Sequence, residues 1–301
     1  MSNDNRETFY LKQNLQNGFR SHERLSKLAY ELKNTTSSKI AIDLSSVSFI
    51  ASNLFSVLGS ILYEFSQRNP DPKALYIRGI NNPITETMQK NGFCKHLGLE
   101  KKPDVHNTVI PYKYFSVDKI DEYERYLTIN LFTRRDLPIM TQAVTDAIRD
   151  SLLELFKNVS DHTTSENVFT CGQYFPKSCM LYFTIVDIGE TVSYNVNSYH
   201  QAHGLNVPGN TLQWAIESGN STSSSPTPRG IGLSLIRDFV SANNGEFYIF
   251  SNYETYELRH TKERFKKMEY PFPGTVVTVG FNLHDKAIYY FDSGTYDSIQ
   301  F

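Results

Sequence analysis

The chain has 301 residues, 30 Lys and Arg against 32 Asp and Glu, and a formal net charge of −2. That length suggests about two domains, and 40 % hydrophobic with 21 % charged residues excludes the disordered class. Near-neutral charge argues against bulk electrostatic binding to nucleic acid or anionic membrane, though not against a local basic patch. Three cysteines, Cys94, Cys171 and Cys179, make neither a disulfide framework nor a zinc template. The start, MSNDNRETFY, lacks an apolar run and a small-residue cleavage site, so no signal peptide is expected. The most apolar stretch, Val47 to Tyr63, is interrupted by serines, Asn53 and Gly59. It is too diluted for a membrane span of about 20 mostly apolar residues. A cytoplasmic protein in a reducing compartment is the expectation.

In chain order, residues 1 to about 102 alternate strand and helix. Lys39-Ile-Ala-Ile-Asp-Leu alternates and is β-branched, which predicts a strand. Ser52 or Asn53 is placed to cap a helix carrying Leu54, Val57, Leu58, Ile61 and Leu62 at helical spacing. Ala74-Leu-Tyr-Ile predicts a second strand, and Ile84 to Asn91 a short helix closed by Gly92. Such alternation points to an α/β sheet with parallel pairs. Residues 100 to 108, EKKPDVHNT, mark a polar linker. Leu137-Pro138 then opens a long helix whose Val144, Ile148, Leu152, Leu155 and Val159 share one face. Strands are predicted at Met180 to Val186, Glu246 to Ser251 and Thr275 to Phe281, and a helix at Leu233 to Ala242. The second half therefore reads as an α+β sandwich, with a low-complexity loop at Ser218 to Pro228.

Candidate chemistry lies in this second half. Glu154, Asn158 and His162 fall at i, i+4 and i+8, within an arc of about 80° beside the apolar stripe. A carboxylate and a carboxamide one turn apart can orient a water and complete a Mg²⁺ shell, which takes one or two protein oxygens, waters and phosphate oxygens. A solvated helix face has the same composition. Asp187 ends the apolar strand MLYFTIV, where an unpaired carboxylate is costly. It can accept from an exocyclic amine such as adenine N6, and Gly189 lets a flat ring approach the backbone. A plain Asp-Gly turn is the alternative. Thr227-Pro-Arg229-Gly230-Ile-Gly232-Leu233 opens a helix, and glycines there expose N–H groups and the positive dipole end to phosphate. Neither a Walker loop nor a Rossmann fingerprint occurs. Gly274-Thr275 opens the strand VVTVGF, an ordinary start by itself.

Taken in order, these motifs resemble the ATP-binding module shared by gyrase, heat-shock chaperones, histidine kinases and mismatch-repair proteins, the GHKL type. The resemblance covers about residues 110 to 284. The stretch AIESGNSTSSSPTPRGIGLSLIRDFVSANNGE is closest to histidine kinase catalytic domains and anti-sigma-factor serine kinases. The resemblance implies that Asn158 binds Mg²⁺ and that Glu154 is the base candidate. His162 would orient Glu154 or phosphate, or be a satisfied half-buried histidine. Asp187 would read the adenine amine, with Gly189 against the ring. Arg229, Gly230, Gly232 and Leu233 would cradle the phosphates, Thr275 would touch adenine-side waters, and residues about 191 to 229 would form the ATP lid. The family's D-x-G-x-G has Thr191 in place of its second glycine. His22-Glu23 faintly mimics a kinase phosphoacceptor motif without its Leu-[RK]-x-Pro continuation.

The segments KIAIDLSSVSFIASNLFSVLGSILYEF and ALYIRGINNPITETMQKNGFCKHLGL, within about residues 7 to 100, resemble the STAS domain of sulfate transporters and anti-sigma antagonists. That resemblance sets Ser52 at the antagonists' phosphorylated serine, where a phosphate would alter a docking surface. Ser52 as a plain helix cap is the other reading. The fold expectation is α/β (α+β): a STAS-like domain over residues 1–105, then a two-layer α/β sandwich of the Bergerat ATP-binding type over 106–301. Arg259 to Lys267, RHTKERFKK, reads as a nucleic-acid patch or, more simply, a solvated hairpin. His200 and His203 lack a third metal ligand. Tyr289-Tyr290-Phe291 fits an edge strand or a partner contact. The expected function is an ATP- and Mg²⁺-binding regulator, hydrolysing ATP or phosphorylating a protein serine. Its nucleotide state would control docking of the STAS-like domain or of a protein partner. The alternatives are a non-catalytic ATP-dependent interaction module and, behind it, a nucleic-acid-associated ATPase.

Overall fold

The computed structural model of the protein describes residues 6–162, 164–222, 232–291 and 299–300. It is a mixed α/β chain with three sheets among those residues. The first part runs β1 (Glu7–Tyr10), α1 (Phe19–Asn34), β2 (Ile40–Asp43), α2 (Phe55–Arg68), β3 (Leu75–Arg78) and α3 (Asn82–Asn91). Its sheet is parallel, in the order β1-β2-β3. Parallel neighbours need crossovers, and α1 and α2 supply them. Asn81 Oδ1 starts α3 by accepting from the Ile84 N–H at 3.0 Å, and Gly92 ends it at φ 86°.

Beyond residue 108 follow β4 (Val109–Ser116), α4 (Ile120–Leu127), β5 (Ile139–Met140), α5 (Gln142–His162), β6 (Asn167–Phe175) and β7 (Met180–Asp187). The chain continues through α6 (Val192–Ala202), α7 (Thr211–Ile216), α8 (Gly232–Ala242), β8 (Glu246–Arg259), β9 (Lys262–Asn282), β10 (Ile288–Phe291) and β11 (Ile299–Gln300). Five antiparallel strands make the main sheet, β4-β6-β7-β9-β8, and a small third sheet is ordered β11-β10-β5. Leu137-Pro138 does not open the long helix. β5 pairs with β10, the Thr141 N–H donates to the Tyr289 carbonyl, and α5 starts only at Gln142. Arg259 to Lys267 is the tip and return of the β8–β9 hairpin. Among the described residues, no helix is long and apolar enough to cross a membrane.

Successive residues of the main sheet alternate between two apolar clusters. Leu181, Phe183, Ile185, Ile249 and Val277 join residues of α4, α5 and α8. Tyr182, Val186, Tyr248, Phe250 and Val276 join residues of α1 and α2. With both faces buried, β7 is apolar on both sides up to its closing Asp187 except for Thr184, although the sheet is antiparallel. The second cluster continues into the small parallel sheet through Phe9, Ile40, Ile42 and Ile77. The chain passes from one sheet to the other near residue 105, and this cluster spans both sides of that point.

Several polar groups inside the seam are paired across it, although Asn53 Oδ1 is buried without a partner among the described residues. Asn53 Nδ2 donates to Asn17 Oδ1 at 2.7 Å and to Thr184 Oγ1 at 2.9 Å. The Ser52 N–H donates to Gln173 Oε1 at 2.6 Å, and Asn91 Nδ2 donates to Ser52 Oγ at 3.0 Å. Neither Ser52 nor Asn53 caps α2; both lie in a turn of 3-10 helix that leads into it. Ser52 is 0 % exposed. It is a buried seam residue, neither the helix cap nor an exposed hydroxyl at the antagonists' phosphorylated position.

His22 is buried as well. Its ring stacks on Phe250 with centroids 3.6 Å apart, and its Nδ1 lies 3.0 Å from the Gly18 carbonyl oxygen. A ring so enclosed offers no phosphoacceptor surface. Burial pulls this imidazole from 6.5 down to about 4, against the opposing influence of the Gly18 carbonyl and the Glu257 charge. The unfolded chain therefore takes up a proton that the folded one refuses, and stability is lost as pH falls from about 6.5 towards 4. We expect denaturant unfolding of His22→Phe to lose less stability than wild type between pH 7 and 4.5, by roughly 2–3 kcal/mol. Equal losses in the two proteins would overturn the buried neutral histidine.

Candidate functional site

α5 and α8 pack together on one side of the main sheet, and the segment between β7 and α8 carries α6 and α7 beside them. Between these elements lies a cleft of about 1030 Å³, counting its open mouth. Glu154 and Asn158 line it from α5, one turn apart. Asp187 and Thr275 line it from β7 and β9, where they are direct ladder partners. Gly232 and Leu233 line it from the first turn of α8. Residues scattered over more than a hundred positions are thereby brought to one cavity. Gly189 is not among them; it lines the neighbouring groove with Ile188 and Thr191. Arg229 and Gly230 lie outside the described residues. So does the side chain of His162, whose backbone ends α5.

Asp187 is 6 % exposed, and its Oδ1 has no hydrogen-bond partner among the described residues. Burial pushes its carboxyl up to about 8, the nearby Glu190 charge adds to the push, and the Thr275 backbone N–H opposes it. Leaving a buried acceptor unpaired costs roughly 1–3 kcal/mol. The position is therefore complementary to a donor that the chain does not supply. The backbone around it is tightly fitted. Gly274 sits at φ 156°, and a methyl group there would lie 2.1 Å from the Asp187 carbonyl oxygen. That close approach explains the glycine before Thr275.

Glu154 lies against the start of α8. A methyl group at Gly232 would come within 2.7 Å of Glu154 Oε2. A carboxylate near a helix N-terminus is favourably placed, and the same N–H groups suit phosphate oxygens. Among the described residues, no three His, Cys, Asp or Glu side chains cluster as a metal site. His200 and His203 instead set their Nδ1 atoms 2.6 and 2.8 Å from the carbonyls of Asn206 and Tyr199.

Both helices between β7 and α8 are tied to β8. Thr191 caps α6 by accepting from the Tyr194 N–H at 3.3 Å. Ser251 Oγ accepts from the Val192 N–H and donates to the Gly274 carbonyl, each at 2.9 Å. It also lies 3.1 Å from Thr275 Oγ1. Glu254 accepts from the N–H groups of Thr211 and Leu212, both at 3.0 Å, which anchors α7. Trp214 of α7, the sole tryptophan, lines the cleft. Sequence reasoning finds none of Ser251, Glu254 or Trp214. The first two act through strand pairing, which leaves no local spacing; the rarity of tryptophan was the available signal for the third.

Asp187 also dictates a pH dependence. Its carboxyl ionises near 3.8 when unfolded and near 8 when folded. Unfolding between those values releases a proton, so the fold weakens as pH rises through this window. Asp187→Asn removes that penalty. The stability of Asp187→Asn relative to wild type should therefore increase from pH 5 to pH 8 in ligand-free thermal unfolding, and a constant difference would refute the assignment. The sequence matches no family model, and a search of curated proteins returns no match.

Proposed function

We propose that the chain is an ATP- and Mg²⁺-binding regulatory protein, built from a GHKL-type nucleotide module of the Bergerat fold and a STAS-like amino-terminal domain. The observation that carries this reading is the unpartnered Oδ1 of Asp187, in the cleft that Glu154, Asn158, Gly232 and Thr275 also line. An exocyclic amine such as that of adenine offers the missing donor without bringing a charge. Glu154 and Asn158 present one carboxylate and one carboxamide near the start of α8, a donor set that suits Mg²⁺ beside waters and phosphate oxygens. Bound Mg²⁺ would supply charge neutralisation at the phosphates. Glu154 would accept the proton of the attacking group, a water in an ATPase or a protein hydroxyl in a serine kinase. α6 and α7 would cover the nucleotide, held by Ser251 and Glu254. Because Ser251 adjoins Phe250, which packs on His22, β8 is a physical route from nucleotide occupancy to the amino-terminal half.

A non-catalytic, nucleotide-dependent interaction module is the second reading. The burial of Ser52 favours it, since the candidate phosphosite of the amino-terminal half is enclosed. Titration with Mg²⁺ and ATP, followed by calorimetry and by Trp214 fluorescence, tests the shared premise. Wild type should bind, and Asp187→Asn should bind at least about tenfold more weakly, or 1.4 kcal/mol. Equal affinities would sink the adenine assignment. ATP labelled on its γ-phosphate then separates the readings: free phosphate supports hydrolysis, label on protein supports a kinase, and neither supports the interaction module. Glu154→Ala should abolish any product while retaining binding.

A further inference from the structure

A second concave site lies at the seam between the amino-terminal half and the β8–β9 hairpin. Lys12, Arg20 and Arg24 line it from one side, and Arg259, Arg264 and Lys266 from the other. It shares no lining residue with the nucleotide cleft. One carboxylate, Glu257, is present, but it is 4 % exposed and turned to the protein. Its Oε1 accepts from the Phe19 N–H at 2.7 Å, and its Oε2 lies 3.3 Å from Lys266 Nζ. Arg20 and Arg264 are exposed, and their side chains have no ion-pair partner among the described residues. In a chain of net charge −2, this is a strong local excess of cations.

The uncharged groups point the same way. Asn14 Oδ1 accepts from the Ser48 N–H, the Ser48 hydroxyl and the Phe49 N–H, at 2.8, 2.9 and 3.0 Å. Gln13 Oε1 accepts from Arg24. The backbone carbonyls of Asn14 and Asn17 accept from Arg24 and Arg259. These acceptors are already used by the protein, whereas the amide NH₂ groups of Gln13 and Asn14 remain as donors. The basin therefore offers donors and positive charge, and it suits a ligand made of acceptors and negative charge. A nucleobase edge would bring donors of its own. The cations line one concave basin of about 1430 Å³, counting its mouth. A cluster of cations in one basin suits a compact anion, whereas a nucleic-acid strand is tracked by charges along an extended groove.

We infer that this basin is a binding site for a compact phosphate-bearing anion, contacted first by Arg20 and Arg264. Guanidinium groups suit phosphate because their fork meets two oxygens at once. An anion held there would bridge the amino-terminal half and the hairpin, strengthening the seam from outside. The inference stands apart from the nucleotide reading, and the two fail separately.

Calorimetric titration of the full chain at low salt tests it, with inorganic pyrophosphate and a phosphoserine peptide as separate probes. At least one should bind, and the tighter of the two identifies free or side-chain phosphate as the source. Binding should weaken at least tenfold in Arg20→Gln/Arg264→Gln. The double variant should keep its thermal stability, since neither side chain is packed. Failure of both probes to bind wild type overturns the inference, as does binding that survives the double substitution. Tighter binding of oligothymidylate than of either probe makes the surface a nucleic-acid site and overturns the compact ligand.

Discussion

Asp187 closes a strand covered on both faces, and nothing in the described chain pairs its Oδ1. A carboxylate at a strand end normally turns to solvent, but this one is fixed by its neighbours. β6 and β9 hold β7 in register on either side, the Gly274 backbone presses against the Asp187 carbonyl, and two apolar clusters fix the strand above and below. The cleft takes its floor from that arrangement. α5 supplies one wall because its apolar stripe is buried against the same sheet, which leaves Glu154 and Asn158 at the cavity edge. An unpaired buried acceptor is tolerated in a fold when a ligand completes it, and the surrounding structure bears the cost until then.

The amino-terminal half acts as the second cover of the main sheet. α1 and α2 lie between the two sheets and bury side chains from both. The seam is polar at selected points, where Asn53 reaches Thr184 and Ser52 meets Gln173. A buried polar contact that is satisfied fixes register more than it adds stability. Here such contacts set how the two halves meet.

Elements whose pattern is local were legible in the sequence. The stripe Val144, Ile148, Leu152, Leu155 and Val159 is buried throughout, and Gly92 closes α3 as an ordinary cap, although the helix starts at Asn82 behind an Asn81 cap and not at Ile84. Glu154, Asn158, Asp187, Gly232, Leu233 and Thr275 were singled out by the order of their motifs and the resemblance it carries, not by local pattern alone, and they line one cavity. What tertiary contact decides was hidden. α1 buries Ser21, His22 and Ser26 beside its leucines, which blurs its apolar face. β9 carries Lys and Glu residues with Pro271 and Pro273, a composition that reads as loop. Its ladder shifts register around those prolines, as strand prolines require. Ser52 carries the composition of a cap, but its hydroxyl is taken by Asn91 from another helix.

The seam joins residues very distant in sequence. Phe19 meets Glu257 across 238 positions, and Ser26 meets Met268 across 242. At ribosomal speeds of about 5–20 residues per second, β9 emerges on the order of 10 to 50 s after α1. Throughout that interval the face of α1 that packs on β9 has no partner strand to cover it. Leu25 and Leu28 belong to a core part of which has not yet been synthesised. The order of synthesis thus runs against the order of burial, and the nascent amino-terminal third is the part of this protein that a holding chaperone would meet first.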